Sequence, residues 1–386
     1  MVDELRRRGS ASRGDIARAT GLSRTTVTTL VTDLHERGLI VEAGGNGDGH
    51  TRGRPPTRLR LDPSAGAALG VDFGHRHLRI ALADLSSTVL DERCVELDVD
   101  AAADAALDLA AALASEMLDA SGIDRGRVIG AGMGLPGPVD PRRAIVGSSV
   151  ILHGWAGLHA ARELGRRLGT AVTVDNDANL GALAEVSLGA GQGLDDVVYV
   201  KVSSGIGAGL VLGGRLHHGA TGIAGEIGHV QVRPEGAVCR CGNRGCLETV
   251  ASAGALLELL RPAHGADLSV RGMLELAEGG DPGAQRVIRD AGWAIGRAVA
   301  DLCNSLNPEA IVVGGDLAAA GAPLVDGVRE AVDRFAQPGA AEAVRVTAGL
   351  LGERAEVLGA LSLAGHEVED PLIASTPMSH HRRRSR

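Results

Sequence analysis

The segment CRCGNRGCLE at residues 239–248 packs three of the chain's five cysteines into eight positions, and His229 stands ten residues before the first of them. Cys239, Cys241 and Cys246 with His229 amount to three thiolates and one imidazole, a complete tetrahedral set for Zn²⁺. Four protein donors leave no coordination position open, so such a metal would be structural and not hydrolytic. The alternative is a reduced, metal-free knuckle. Cys94 and Cys303 lie in apolar strand and helix contexts and are expected in the core.

A second cluster is VDNDAN, where Asn176 and Asp177 follow a strand and open a helix. Such side chains can hydrogen-bond vicinal hydroxyls, and they are equally ordinary helix caps. A third is SRTTVTTLVTDLHE, in which Val27, Leu30, Val31 and Leu34 recur at i, i+3, i+4 and i+7 and form one buried stripe. The opposite face carries Arg24, Thr25, Thr26, Thr28 and Thr29. Four threonines near a helix start are not explained by helix propensity, and short hydroxyls beside an arginine suit phosphates and base edges.

The elements around that helix fit the same reading. Ser12 and Asp15 form a capping box for a preceding helix, the turn Thr20-Gly21-Leu22 interrupts the pattern, and Ser23 caps the threonine-rich helix. Ala17, Gly21 and Val27 supply the small residue, turn glycine and core residue of a helix-turn-helix. GLIVEAGGNGDGHTRGRPPTRLRL reads as a β-hairpin wing, with Arg52 and Arg54 on an extended basic arm suited to a narrow minor groove. Residues 1–61 carry 11 Arg against 7 acidic residues, a balance of +4, whereas the remainder balances at −13. A basic head on an acidic body points to a polyanionic partner for the head alone, double-stranded DNA. The alternatives are a merely soluble basic head or a non-binding three-helix module.

With 386 residues, 44% hydrophobic and only 1% aromatic, the chain has apolar mass for more than one core, filled by Leu, Val, Ile and Ala. No uncharged apolar run of roughly eighteen residues and no signal-peptide core occurs, so a cytoplasmic protein with no membrane partner is expected. Lys201 is the sole lysine, and its rarity suggests nothing chemical by itself. After Pro63, strands ALGVDFG, LRIALADL, TVLDERCVELD, VIGAGMGL and AVTVDND alternate with helices over 101–121 and 157–168. A second series comes after them, with VVYVKVSSGIGAGLVLGG and AIVVGGD among helices near 249–261, 283–306 and 322–336. Alternation means α/β layers, and its repetition predicts two related lobes with a cleft between them.

The ordered set GRPPTRLRLDP, VDFG, GLPGPVD, DNDAN, SSGIGAGL, GEIGH, CRCGNRGCLE and IVVGGD resembles the ROK family (repressors, open reading frames and sugar kinases), in its repressor branch. The resemblance runs from about residue 10 to 365. It implies a winged helix-turn-helix over 1–61 and a two-lobed, actin-like ATPase (sugar kinase-like) body over 62–366. Residues 367–386, polar and ending in an arginine run, read as a disordered tail. The resemblance further implies structural Zn²⁺ on His229, Cys239, Cys241 and Cys246. It implies a sugar or sugar phosphate effector held by Asn176, Asp177, Glu226, His229 and Glu248, a homodimer or homotetramer, and control of carbohydrate genes.

In the family's kinases the aspartate at position 177 takes the proton of the phosphorylated hydroxyl, and the first phosphate loop reads Asp-x-Gly-Gly-Thr. Here the loop is DFGHRH: Asp72 and Gly74 remain, but His75 and Arg76 replace the second glycine and the threonine. Ser203-Ser204 replaces a Gly-Thr in the second loop, which keeps Gly205, Gly207 and Gly209, and Asp316 replaces a third glycine of IVVGGD. The expectation is a sugar-sensing repressor without phosphotransfer, with Asp177 a vestigial base. The alternative is a bifunctional regulator that retains sugar kinase activity.

Overall fold

A computed structural model of the chain describes residues 1–43, 57–140, 145–146 and 152–366. Arg52, Arg54 and the tail 367–386 lie outside the described residues. The first unit is a winged helix. Helices Val2–Arg8, Arg13–Thr20 and Arg24–Glu36 pack on an antiparallel sheet ordered Ala11–Ser12, Arg58–Leu61, Ile40–Ala43. Ser12 and Asp15 close the expected capping box, and Gly21 ends the second helix at φ +71, a left-handed turn that glycine adopts without strain. Leu5, Ile16, Val27, Val31, Leu34, Leu59 and Leu61 form the core. Leu85, from the body, belongs to the same cluster, so the head is seated on the first lobe.

Both lobes contain a five-stranded sheet with one topology. In the first, the order is Val89–Glu96, His77–Asp84, Ala67–Phe73, Val128–Leu135, Val172–Asn176; in the second it is Arg215–Leu216, Ile206–Leu212, Val197–Val202, Ala310–Gly314, Arg345–Ala348. Numbered along the chain, each runs 3-2-1-4-5, an antiparallel meander extended by two parallel strands. The repetition seen in the sequence is therefore a duplicated lobe. In the first lobe Phe73 and Trp155 meet edge to face at 5.2 Å between ring centres, and the indole N–H donates to Val99 O at 2.8 Å. Small aliphatics fill the rest.

Two helices lie between the sheets. Asp177–Leu188 packs against the second sheet and Ala355–His366 against the first, and the two helices pack on each other. The second of these is absent from the sequence reading. Its sequence AEVLGALSLAGH is enclosed on nearly all sides, so it shows no polar face and no helical periodicity. The helix Val270–Glu278 is a further addition.

One sequence expectation is corrected. Cys94 is exposed, because Val89–Glu96 is the edge strand of its sheet and buries none of its residues fully; Cys303 is 1% exposed and is a core residue as expected.

Close packing at the centre depends on absent side chains. A Cβ at Gly132 would stand 1.9 Å from the Ala360 carbonyl oxygen, and one at Gly359 would stand 2.0 Å from that of Leu180. Neither helix can lie as it does unless both positions lack a side chain. Gly132→Ala is expected to lower stability by about 1–3 kcal/mol through overpacking, read as a lower urea midpoint at unchanged slope.

Candidate functional site

In the head, Ser23 caps the third helix by accepting from Thr26 N at 3.1 Å. Arg24, Thr25, Thr26, Thr28 and Thr29 are all exposed on one side of it. Thr28 and Thr29 donate their hydroxyls back to the carbonyls of Arg24 and Thr25 at 2.9 and 3.2 Å. They therefore present methyl groups and lone pairs outward, suited to a thymine methyl or an amino-group donor. Arg24 has no acidic partner within 4.0 Å among the described residues. The hydrogen bonds of these hydroxyls stay within the helix and its cap, and all five side chains remain exposed.

In the body, a cleft of about 550 Å³ opens between the lobes. Asn176 and Asp177 meet there at the N-terminus of one central helix. Asn176 accepts from Ala178 N and Asn179 N at 2.8 and 3.3 Å and donates to Gly137 O at 2.9 Å, so its amide is an N-cap tethered to the neighbouring loop. Asp175 just before it is buried and locks the turn, accepting from Asn179 Nδ2 at 2.8 Å and pairing with His218 Nε2 at 2.7 Å. That bond raises the His218 pKa against the opposing effect of its burial.

Asp177 faces the cleft. Its Oδ1 accepts from Ala178 N at 2.8 Å, and its Oδ2 accepts from Lys201 Nζ at 2.9 Å. Glu356 Oε1 lies on the other side of the ammonium at 3.3 Å. Burial works against the charge of Lys201, but Asp177, Glu356 and Asp72 outweigh it and hold the pKa well above the ordinary value. The sequence offered one signal for this residue, its being the only lysine; its partners are 24 and 155 positions away.

The opposite wall is built from the cysteine segment. Gly245 holds φ +68 with Arg233 O only 1.5 Å from where a Cβ would be, and bridges Gln231↔Cys246 and Val238↔Arg244 fold the segment back on itself. The ligand atoms of His229, Cys239, Cys241 and Cys246 all fall within 4.8 Å of one another. Cys241 Sγ to Cys246 Sγ is 3.7 Å and Cys239 Sγ to His229 Nδ1 is 3.6 Å. A tetrahedron with bonds of about 2.0–2.3 Å has edges of about 3.5–3.8 Å, so the spacing suits a small metal ion. His229 turns Nδ1 to the sulfurs and Nε2 toward Glu226 Oε2 at 3.7 Å, at the cleft.

Glu226 is pushed up to about 7, first by burial and then by Asp177 and Glu248, with Arg240 opposing. Glu248 accepts from Arg240 Nη2 at 2.8 Å. Arg240, lying between two of the cysteines, was not singled out from the sequence. The structure thus brings Asp177, Glu226, His229 and Glu248 around one space, with Asn176 at its edge.

The first glycine loop also lines the cleft. His77 stacks over Gly74, where a Cβ would come within 2.2 Å of its ring, and its Nε2 bonds Asp72 Oδ2 at 2.9 Å. Burial disfavours the His77 cation, yet the bond and charge of Asp72 raise its pKa overall. His75 is turned to Asp100 at 2.7 Å, and Arg76 is exposed. Ser203 Oγ accepts from Asp316 N at 3.1 Å, joining the second loop to the segment GGD.

Asn176 generates a direct test. Asn176→Ala is expected to cost about 0.5–2 kcal/mol in chemical denaturation through loss of the cap, and Asn176→Ser is expected to recover part of it.

Residues 68–367 match the ROK family model, and residues 2–49 match the MarR family model. The xylose repressor of Bacillus subtilis is 27% identical over 94% of this chain and 93% of its own length. Among solved structures, a ROK family transcriptional regulator homologous to Escherichia coli Mlc superposes with a TM-score of 0.78 at 30% identity, covering 91% of this chain and 90% of that one. A ROK family glucokinase from Streptomyces griseus, in complex with glucose and AMPPNP, gives 0.69 at 31% identity and covers 78% of this chain and all (100%) of that one. No helix among the described residues is long and apolar enough to cross a membrane. With its winged-helix head and duplicated α/β lobes, the chain belongs to the ROK family.

Proposed function

We propose that this protein is a sugar-responsive, DNA-binding transcriptional repressor of carbohydrate genes, with residues 1–61 reading DNA and 62–366 reading the effector. The observation that carries the reading is the union of a winged helix and a carboxylate-lined cleft in one chain. Relatives similar over both parts are repressors and regulators, whereas the glucokinase is matched without the head. Arg24, Thr25, Thr26, Thr28 and Thr29 meet base edges and phosphates in the major groove, and Arg52 and Arg54 meet the minor groove, in a homodimer or homotetramer on an inverted-repeat operator. The effector, a sugar or sugar phosphate, donates hydroxyls to Asn176, Asp177, Glu226, His229 and Glu248. A carboxylate has about four acceptor sites, and Asp177 uses two internally, leaving room for vicinal hydroxyls.

Phosphotransfer is not part of this reading. Each oxygen of Asp177 already accepts one internal donor, which makes it a weaker base toward a hydroxyl proton. The His77 ring fills the space over Gly74 where a nucleotide phosphate would need open backbone. Phosphoryl transfer depends chiefly on positioning and charge neutralisation, and that cradle is occupied.

The experiment is selection of bound sites from randomised duplexes, followed by anisotropy with D-xylose, D-glucose, N-acetylglucosamine and the 6-phosphates of the two hexoses. An inverted repeat with half-sites about one helical turn apart is expected, with at least one sugar changing its affinity. Arg24→Ala should weaken specific binding by about 1–3 kcal/mol, and Asp177→Ala should remove the sugar effect. Undiminished affinity in the first variant would put the recognition surface elsewhere.

The cysteine knuckle is proposed to hold one structural Zn²⁺ on His229, Cys239, Cys241 and Cys246. When bound, the ion neutralises the thiolates and fixes the ring of His229, so that Nε2 keeps its aim at the cleft. Elemental analysis of unchelated protein should find one zinc per chain. Cys241→Ser should lower melting temperature and sugar affinity together; protein purified without zinc would refute the assignment.

A further inference from the structure

Lys201 has two carboxylates within reach and a hydrogen bond to only one. Its ammonium bonds Asp177 Oδ2 at 2.9 Å, whereas Glu356 Oε1, 3.3 Å away, is enclosed and accepts no hydrogen bond from it or any other group among the described residues. Glu356 is 4% exposed and sits in the first turn of the helix Ala355–His366. Asp72 Oδ1 nearby is likewise enclosed and without a partner. The charged groups about Glu356 are thus Lys201, Asp72 and Asp177, with Tyr199 behind Lys201 and His77 on Asp72. Three carboxylates share one ammonium and one histidine, and the ammonium can satisfy only part of them at a time.

We propose that Lys201 is a swinging cation: held by Asp177 in the arrangement described above, it passes to Glu356 when sugar hydroxyls take over Asp177. The inference rests on the sugar-binding reading of Asp177 given above. A ligand can drive such a change only through a difference in interaction between the two states, and here the difference is specific. Hydroxyls replace the ammonium at Asp177, and the released ammonium satisfies an acceptor that was enclosed and unbonded.

The proton balance is definite. Burial, reinforced by Asp72 and Asp177 and opposed by Lys201, pushes Glu356 up to about 7, so below that pH it is largely the neutral acid. Its folded pKa is raised, so the stability it contributes is present at low pH and is lost as pH rises from the ordinary carboxylate range through about 7. When the ammonium arrives, the Glu356 O–H proton leaves to solvent and an N–H···O⁻ bond forms. No covalent bond other than that O–H changes. Through Glu356, sugar binding at slightly acid pH therefore releases a proton, and binding well above neutrality does not.

The receiving helix connects to the head. Val357, Leu358, Leu361 and Ala364 pack on Ala68, Ala81 and Ala83 of the first sheet, with Ile129 against them. Ile129 also packs against the core of the winged helix. A new charge-assisted bond at the start of this helix acts on an element one side chain away from the DNA-binding unit.

A sole lysine makes the test direct, since lysine labelled with ¹⁵N at Nζ gives one signal from the full chain. In wild type that signal should inflect with pH near 7, reporting Glu356, and Glu356→Gln should abolish the inflection. Asp177→Asn, which removes the first partner without any sugar, should move the inflection down by at least about one pH unit. Its crystal structure should place Nζ within about 3 Å of Glu356 Oε1. An unmoved inflection in Asp177→Asn would overturn the proposal even if Glu356→Gln failed to fold. Calorimetry with D-xylose and D-glucose at about pH 6.5, in buffers of different ionisation enthalpy, completes it. A sugar that binds with no proton release and an unmoved Nζ signal would overturn the swing alone. A confirmed titration with no binding by any sugar of the panel would overturn the effector reading instead.

Discussion

The architecture depends on a close contact between two helices and the two sheets they separate. Backbone approaches backbone at Gly132 and Gly359, where any side chain would collide with a carbonyl. Interiors are packed as tightly as organic crystals, so a helix displaced by even one methyl group would carry its end groups with it. At those ends stand Asp177 and Glu356, on different helices and opposite sides of the Lys201 ammonium. The electrostatics of the cleft are thus a consequence of packing. The lysine is held charged in a buried place because carboxylates from both lobes converge on it.

The far wall obeys a different constraint. A segment with few apolar side chains cannot fix its own shape by burial, and residues 229–246 rely on two left-handed glycines, two isolated bridges and four converging donor atoms. The spacing of those atoms, 3.6 and 3.7 Å across two edges, matches a tetrahedral ion of zinc's size. On the proposed reading the metal does for this wall what close packing does for the two central helices. It holds His229 Nε2, Glu226 and the Arg240–Glu248 pair where a polyhydroxylated ligand would meet them.

The two machines share a boundary. The winged helix is not tethered by a bare linker: Leu85 completes its core, and Arg127 donates to Ser64 O at 2.9 Å at the junction. Any rearrangement of the first lobe is therefore felt by the head through packed side chains. A glycine of the second glycine-rich loop also has a structural account. Gly209 lies 2.4 Å, in would-be Cβ distance, from the Ala178 carbonyl oxygen, so the fold requires it whether or not a nucleotide binds.

Much of this was legible in the sequence because it is local. The capping box of Ser12 and Asp15, the Val27, Leu30, Val31, Leu34 stripe (Leu30 only partly buried), the duplicated strand and helix series and the His-Cys spacing each depend on residues within a few turns of one another. Propensity and periodicity suffice for those. Cys94 was misplaced because the same apolar strand pattern serves a central and an edge strand, and only the sheet order distinguishes them. The helix Ala355–His366 was invisible because burial on nearly all sides erases the polar stripe that marks a helix. The cap formed by Asn176 was legible in the sequence, but its bond to Gly137 needed the loop 39 residues earlier. Above all, Lys201 was only a compositional oddity. Its meaning came when the fold set Asp177 and Glu356, 24 positions before and 155 after it, against one ammonium, because charge acts through space and the sequence records only order along the chain.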